Sequence, residues 1–143
     1  VVELLNKPLH NFNFYSVDTW KGAQEHQEYD LVKEDRLYDV FLNNISPIKD
    51  HVKTLRQYSH EAADYFDDNS VDFCYVDADH SYDAVMKDLE SWWPKIKPGC
   101  YFGGDDYTKG WPGVQNAVND FFQNKIIKVQ KLGRCWIVKK PVS

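Results

Sequence analysis

The chain has 143 residues, a net charge of −5, and 43% apolar, 27% charged and 15% aromatic residues. This size and composition predict one globular domain over residues 1–143. The negative charge, without a clustered basic stripe, argues against a nucleic-acid partner. No apolar run approaches the roughly 18 residues of a membrane span and no signal peptide is visible, so we expect a cytoplasmic protein without a membrane partner.

Neither the cysteines nor the basic residues predict a site. Cys74, Cys100 and Cys135 lie in or beside apolar runs without a Cys-x-x-Cys pair. This placement predicts buried, reduced thiols and neither a disulfide framework nor a zinc site. The Lys and Arg residues between Lys125 and Lys140 follow an alternating strand pattern and predict a solvated face.

The amino terminus has the pattern of a helix end. Val1 to Leu5 is followed by Lys7 and Pro8, which is how a helix stops. We therefore expect the sequence to be N-terminally truncated.

The first predicted strand runs from Asn11 to Asp18 and ends in an acid. In nucleotide-binding βαβ units, an acid at the carboxyl end of a strand binds ribose hydroxyls. Asp is also a common turn residue, so both interpretations of Asp18 stay open. The polar residues 23–30 predict a lid or substrate loop, and a helical pattern covers Leu31 to Ile45.

Four predicted elements come next. His51 to Arg56 favours a short strand, and Ser59 to Phe66 favours a helix with its serine at the N-cap. Val71 to Val76 is β-branched and aromatic, the composition of a strand buried on both faces. Tyr82 to Ile96 has the apolar spacing of an amphipathic helix, and a proline near its end predicts the stop.

The remaining predicted elements are a turn, a strand, a helix and two tail strands, over residues 97–99, 100–102, 114–122, 126–132 and 135–139. The tail strands are separated by Gly133-Arg134, a β-hairpin signal. The order of elements predicts an α/β fold: a Rossmann-like, mostly parallel sheet with helices on both faces and a C-terminal antiparallel β-hairpin.

The acids at the predicted strand ends are Asp18, Asp77, Asp79, Asp105 and Asp106. Parallel strands end at one edge of a sheet, so we expect these carboxylates to gather there. Neighbouring carboxylates repel each other, and a divalent cation relieves the repulsion. Asp77, Asp105 and Asp106 would suit Mg²⁺. The alternative is that Asp79 caps the helix starting near Ser81 and that Asp106 is a turn residue.

Other side chains near these acids have two open interpretations. His80 follows Asp77 by three residues, where an imidazole could act as a base near neutral pH or serve as a structural hydrogen-bonding group. Trp20, Tyr107 and Trp111 could stack on an acceptor molecule or pack within the protein.

Three segments resemble class I S-adenosylmethionine-dependent methyltransferases of the group called methyltransferase family 24. They are residues 16–22 (SVDTWKG), 76–82 (VDADHSY) and 97–107 (KPGCYFGGDDY). The resemblance implies a seven-stranded sheet whose last strand is antiparallel. It also implies that Asp18 binds the ribose of S-adenosylmethionine, that Tyr58 and Ser59 lie near the adenine, and that Asp77 belongs to the cofactor site.

The stretch from Val76 to Asp79 is also similar to catechol, caffeoyl-CoA and macrocin-type sugar O-methyltransferases. Those relatives bind a divalent metal that orients the acceptor hydroxyls, which implies Asp77, Asp105 and Asp106 as ligands of Mg²⁺ or another divalent cation here. The catechol and caffeoyl enzymes have a lysine where this chain has His80, whose implied role is that of base. The implied reaction is metal-assisted O-methylation of a small sugar-like or phenolic acceptor, and the sequence does not identify that acceptor.

The chain departs from the family at the cofactor. The glycine-rich loop after the family's first strand has no counterpart, and that strand belongs between those ending at Asp18 and Asp77. We expect a gap there, closed by upstream residues, by rearrangement or by a second copy in a homo-oligomer. We also expect the 143-residue chain to bind S-adenosylmethionine poorly. Two alternatives stay open: a metal-dependent glycosyltransferase using Asp77-Ala78-Asp79, and a non-catalytic interaction module with a methyltransferase fold.

Overall fold

The computed structural model describes residues 13–22 and 26–142. The predicted helix end before Pro8, the first residues of the predicted strand at 11–12, and residues 23–25 of the predicted loop lie outside the described residues. The chain divides into two compact units, residues 1–58 and 59–143. A single domain over the whole chain stays a prediction, and each unit is described by itself.

The first unit contains a parallel pair of strands. Its elements are β1 (Phe14–Asp18), α1 (Asp30–Lys33), α2 (Leu37–Asn44), a 3₁₀ helix (Ser46–His51) and β2 (Val52–Arg56). Phe14 lies opposite Val52, and Asp18 lies opposite Arg56. Both predicted strands are confirmed. The single helical pattern predicted here is interrupted at Asp35, whose φ of 52° is incompatible with a continuous helix.

Trp20 belongs to the packing of the first unit. Its ring lies 4.7 Å from that of Tyr38 and 4.8 Å from that of Phe41, measured between centroids. The Trp20 side chain is buried. Of the two roles open for Trp20, the structure therefore shows the packing role.

The second unit is a four-stranded sheet with two longer helices. Its elements are α3 (Ser59–Ala62), β3 (Val71–Val76), α4 (Tyr82–Trp92), β4 (Ile96–Gly104), α5 (Pro112–Gln123), β5 (Gln130–Leu132) and β6 (Cys135–Lys139). The strand order is β3-β4-β6-β5, with β3 parallel to β4 and with β6 antiparallel to both of its neighbours. The predicted α/β fold with a C-terminal antiparallel hairpin is confirmed.

The described strands form two separate sheets, β1-β2 and β3-β4-β6-β5. Within residues 13–22 and 26–142, β1 therefore pairs with β2 alone, and β3 pairs with β4 alone. These are the two strands between which the sequence predicts a gap. Each has one edge whose backbone groups no described strand pairs.

The core of the second unit lies on one face of its sheet. Phe102, Phe122 and Trp136 are fully buried, and their ring centroids lie 5.2 to 6.4 Å apart. Val85 and Leu89 of α4 are buried with them. The face of α4 and the face of α5 that the apolar spacing predicts therefore cover this side of the sheet.

The opposite face of this sheet is open, which corrects the prediction that β3 is buried on both faces. Phe73, Tyr75 and Tyr101 are 56%, 47% and 45% exposed. Alternating side chains of a strand point to opposite faces, and in the described part of this unit helices cover only the other one. Aromatic composition predicted the strand itself, but burial also depends on a covering layer that the composition does not reveal.

Residues 97–99 are part of a strand, although the sequence predicts a turn. β4 begins at Ile96, opposite Val71, and the register shifts before Phe73 pairs with Tyr101. The extra residues form a bulge, and Gly99 has a φ of +80° there. The positive φ of Gly99 is the backbone conformation that a glycine turn would have. The prediction that the turn separates two elements was wrong, because the strand continues through Gly99.

The basic residues of the tail are not all on a solvated face. Lys140 donates from Nζ to the carbonyl oxygens of Ile96 and Trp93, at 2.7 and 3.0 Å. Burial lowers the pKa of Lys140. The cysteines are free, as predicted, but only half-buried. No helix within residues 13–22 and 26–142 combines the length and apolar character needed to cross a membrane.

Candidate active site

The carboxyl ends of β3 and β4 place two acidic segments side by side. Val76 pairs with Gly104, and the N–H of Asp105 donates to the Val76 carbonyl oxygen at 3.0 Å. A Cβ atom at Gly104 would lie 2.5 Å from that oxygen and 2.7 Å from Nε1 of Trp136. Only glycine fits at this position. Gly104 therefore sets the position from which Asp105 and Asp106 leave the strand.

Asp77, His80 and Asp106 come together beyond these strand ends. Each offers one ligand atom, and the three atoms lie within 4.8 Å of one another. Asp77 is exposed, His80 is half-buried and Asp106 is buried. Asp105 does not belong to this group, since its Oδ1 accepts the N–H of Asp106 at 2.7 Å. The structure thus gathers two of the three predicted metal ligands and adds the predicted base.

The imidazole of His80 is held from two sides. Its ring stacks on Trp111 at 4.1 Å between centroids, and its backbone lies against the start of α5, where a Cβ atom at Gly113 would be 2.4 Å from the His80 carbonyl oxygen. Nε2 lies 2.9 Å from Oδ2 of Asp106. That contact lacks hydrogen-bond direction, and the buried Nε2 has no hydrogen-bond partner within the described structure.

Arg134 contacts the same carboxylate, and the sequence analysis did not assign it to the site. Its Nη2 donates to Oδ1 of Asp106. Burial alone would raise the pKa of Asp106, but the hydrogen bond and charge of Arg134, with a smaller contribution from His80, hold that pKa below its usual value. The hairpin signal predicts a turn at Arg134, but only the observed antiparallel pairing of β6 with β4 places that turn beside the end of β4.

The pKa of Asp77 is shifted in the opposite direction to that of Asp106. Burial raises the pKa of Asp77, and the nearby charges of Asp105 and Asp106 raise it further, against the effects of His80 and Arg134. Like charges brought close together disfavour ionisation in this way. The predicted repulsion between the strand-end acids is therefore present.

The residues of this group fit a divalent cation. Two carboxylates offer the oxygen ligands that Mg²⁺ and Mn²⁺ prefer, and the unpartnered Nε2 of His80 lies beside them. Asp77 and Asp106 would hold the ion. His80 is close enough to complete the ligand set or to take a proton.

A family described as a methyltransferase domain matches residues 3–107. The chain belongs to this methyltransferase family. No curated protein matches it, but many solved structures do. The O-methyltransferase NovP is 16% identical with a TM-score of 0.72, covering 97% of this chain and 64% of its own. CalS11, a TDP-rhamnose 3′-O-methyltransferase of calicheamicin biosynthesis, is 16% identical with a TM-score of 0.63, covering 96% and 63%.

MycE, a methyltransferase of mycinamycin biosynthesis solved with Mg, SAH and mycinamycin VI, is 14% identical with a TM-score of 0.54, covering 98% of this chain and 48% of its own. The methyltransferase-family chain thus spans about two thirds of NovP and CalS11 and about half of MycE. At these identities the likeness shows a shared fold.

The second acid of the Asp-x-Asp pair forms a local turn in this methyltransferase-family chain. Oδ1 of Asp79 accepts the N–H of Ser81 at 2.7 Å, immediately before α4. The side-chain and backbone hydrogen bonds of Ser81 lower the pKa of Asp79. Asp79 is absent from the group formed by Asp77, His80 and Asp106.

The predicted cofactor residues have contacts of their own. In the first unit, Oδ1 of Asp18 accepts the N–H of Trp20 at 2.7 Å, and Tyr58 is exposed. In the second unit, Ser59 begins α3 and its Oγ accepts Nε1–H of Trp92 at 3.0 Å. A cofactor role for Asp18, Tyr58 and Ser59 stays a prediction.

Asp88 is one of the buried contacts of Ser59, and its substitution tests their effect on stability. Burial raises the pKa of Asp88, against the effect of a hydrogen bond from Ser59. A carboxyl whose pKa is raised by folding costs stability once the pH exceeds its ordinary value, because the folded state then resists ionisation. We therefore expect Asp88→Asn to melt at a higher temperature than the parent at pH 7, with the difference shrinking as the pH falls toward that ordinary value. The control in these thermal melts is Glu90→Gln, on the exposed side of α4; an Asp88→Asn variant that is less stable at neutral pH would contradict the expectation.

Proposed function

We propose that this chain is part of an S-adenosylmethionine-dependent O-methyltransferase that uses a divalent cation and acts on a small sugar-like or phenolic acceptor. The observation that carries the proposal is the convergence of Asp77, His80 and Asp106 at the ends of β3 and β4 in a methyltransferase-family domain. NovP and CalS11, which share the fold, are O-methyltransferases, and MycE was solved with Mg and SAH. These relatives support the acceptor class and the cation.

When bound, S-adenosylmethionine supplies an activated methyl group and the cation lowers the pKa of an acceptor hydroxyl. The protein's own contribution is chiefly positioning. Asp77 is the exposed carboxylate of the group, so it faces the side from which an acceptor arrives.

His80 accepts the hydroxyl proton in this proposal. Proton uptake leaves both ring nitrogens protonated, and Nε2 then faces Oδ2 of Asp106 at 2.9 Å. The low pKa of Asp106 keeps that carboxylate charged, and the negative charge stabilises the imidazolium. Trp111 fixes the ring plane, so the acceptor has to approach along a defined direction.

Asp18, Tyr58 and Ser59 are the proposed contacts of the cofactor, with Asp77 beside it. They follow from the resemblance of residues 16–22 and 76–82 to the family. Oδ1 of Asp18 already accepts the N–H of Trp20. A ribose bound at Asp18 would therefore place its hydroxyls against Oδ2.

The proposal is tested on the full-length protein of which this chain is part, by methyl transfer from labelled S-adenosylmethionine to panels of sugars and phenols, with Mg²⁺ or with a chelator. We expect transfer that depends on Mg²⁺ and is lost in Asp106→Asn. Calorimetric titrations with S-adenosylhomocysteine and with a UDP-sugar accompany it. Binding of the UDP-sugar alone would contradict the methyltransferase, and transfer that survives the chelator would contradict the cation.

A further inference from the structure

Arg134 reaches the candidate site from the turn between β5 and β6. The side chain is 67% exposed, whereas the Asp106 side chain that it contacts is 10% exposed. The Arg134 carbonyl oxygen accepts the N–H of Tyr107 at 2.7 Å, which fastens the turn to the end of β4. The backbone is thus anchored while the guanidinium extends through solvent to a buried carboxylate.

Both oxygens of Asp106 are engaged. Oδ1 accepts a hydrogen bond from Arg134, and Oδ2 faces Nε2 of His80. A guanidinium has donors and no acceptor, so it cannot itself act as a ligand of the cation. Its positive charge also weakens the attraction of the acid group for a second cation.

The guanidinium can leave without loss of packing. Within the described residues its side-chain hydrogen bonds go to Asp106 alone, and most of its surface already lies in water. A guanidinium stays protonated in proteins, so Arg134 is a cation whenever the acids are ionised. The group therefore has a resident positive charge that is solvent-exposed and is not a metal ligand.

We propose that Arg134 is a built-in counter-ion: it pairs with Asp106 when no divalent cation is bound and gives up Oδ1 when one binds. The inference rests on the proposed metal role of Asp106. It regulates the same site, since the positive charge of Arg134 and a bound cation compete for the carboxylate of Asp106. Loss of a ligand or of a structural contact weakens cation binding, whereas loss of a competing counter-ion strengthens it, so the sign of the effect is diagnostic.

The test is the affinity for Mn²⁺, measured from the electron paramagnetic resonance signal of the free ion. Removing one competing charge at a solvent-exposed side chain predicts that Arg134→Gln binds Mn²⁺ about three- to tenfold more tightly than the parent. Arg134→Lys keeps the charge without the planar fork and is expected to fall between the two. Lys131→Gln is the control, because it removes the same charge from the same hairpin and should leave the affinity nearly unchanged.

Equal or weaker Mn²⁺ binding by Arg134→Gln, while binding by the parent is lost in Asp77→Asn, would overturn the counter-ion role and leave the proposed function standing. An equal gain in Lys131→Gln would also overturn it, since the effect would then come from net charge alone. Absence of Mn²⁺ binding by the parent and by Arg134→Gln would overturn both proposals.

Discussion

Replacing Asp77 by asparagine is expected to weaken Mn²⁺ binding by roughly a hundredfold or more, since even groups that only support metal ligands account for about 10- to 100-fold. Asp77 is the exposed carboxylate of the group, and no side-chain hydrogen bond engages it within the described residues. Asp106 is engaged by Arg134. Asp77 is therefore the ligand that a cation reaches without displacing a partner. Calorimetry or the free Mn²⁺ signal measures the change.

The same substitution is expected to stabilise the metal-free protein. Burial and the charges of Asp105 and Asp106 raise the pKa of Asp77. A raised pKa in the folded state means that ionised Asp77 costs stability at any pH above the ordinary value of the group, and asparagine does not ionise. Asp77→Asn should thus melt higher than the parent at pH 7 without metal, so weaker Mn²⁺ binding would not come from unfolding.

Asp79→Asn is the matched control for this pair of effects. Asp79 lies in the same loop, but its Oδ1 accepts the N–H of Ser81, the residue before α4. Because asparagine keeps the oxygen that accepts this N–H, we expect a change in stability of about 0.5 kcal/mol or less and an unchanged affinity for Mn²⁺. Undiminished Mn²⁺ binding by Asp77→Asn, or an equal loss in Asp79→Asn, would contradict the site assigned here.

The strands and helices could be predicted where side-chain periodicity is set by neighbouring residues. Val71 to Val76 and Cys135 to Lys139 have the bounds the sequence predicts, and α4 ends at Trp92, one residue before the predicted stop. The open face beneath Phe73 could not be predicted, because it depends on which layers cover the sheet. The bulge at Gly99 was missed because a positive φ suits a turn and a bulge equally.

The sequence predicted which strand ends carry the site, but it did not predict the directions of the side chains there. Topology placed Asp77, Asp105 and Asp106 together. Asp106, however, has a φ of 56° and is buried, while the side chain of Asp105 accepts the backbone N–H of Asp106. A left-handed conformation at a single aspartate leaves no trace in composition. The contact of Arg134 follows from strand register, which the hairpin signal alone does not fix.

Phe102→Ala is expected to lower the free energy of unfolding by about 3 to 5 kcal/mol, the usual cost of removing a buried aromatic ring. The Phe102 side chain is fully buried, and its ring contacts Trp136 at 5.2 Å between centroids. The cavity lies between the sheet and α5, where rigid aromatic neighbours such as Phe122 limit collapse. Chemical denaturation, followed by tryptophan fluorescence, measures the loss.

Phe73→Ala makes the comparison decisive, because it removes the same ring from the neighbouring strand on the other face of the same sheet. Phe73 is 56% exposed, with Tyr75 as its nearby ring at 6.4 Å. We expect a loss of about 1 kcal/mol or less, from strand propensity and partial contact alone. Equal losses for the two variants would mean that the face formed by Phe73, Tyr75 and Tyr101 is covered in solution. A large difference would mean that the stability of this unit comes from one face, and that its open face contributes little.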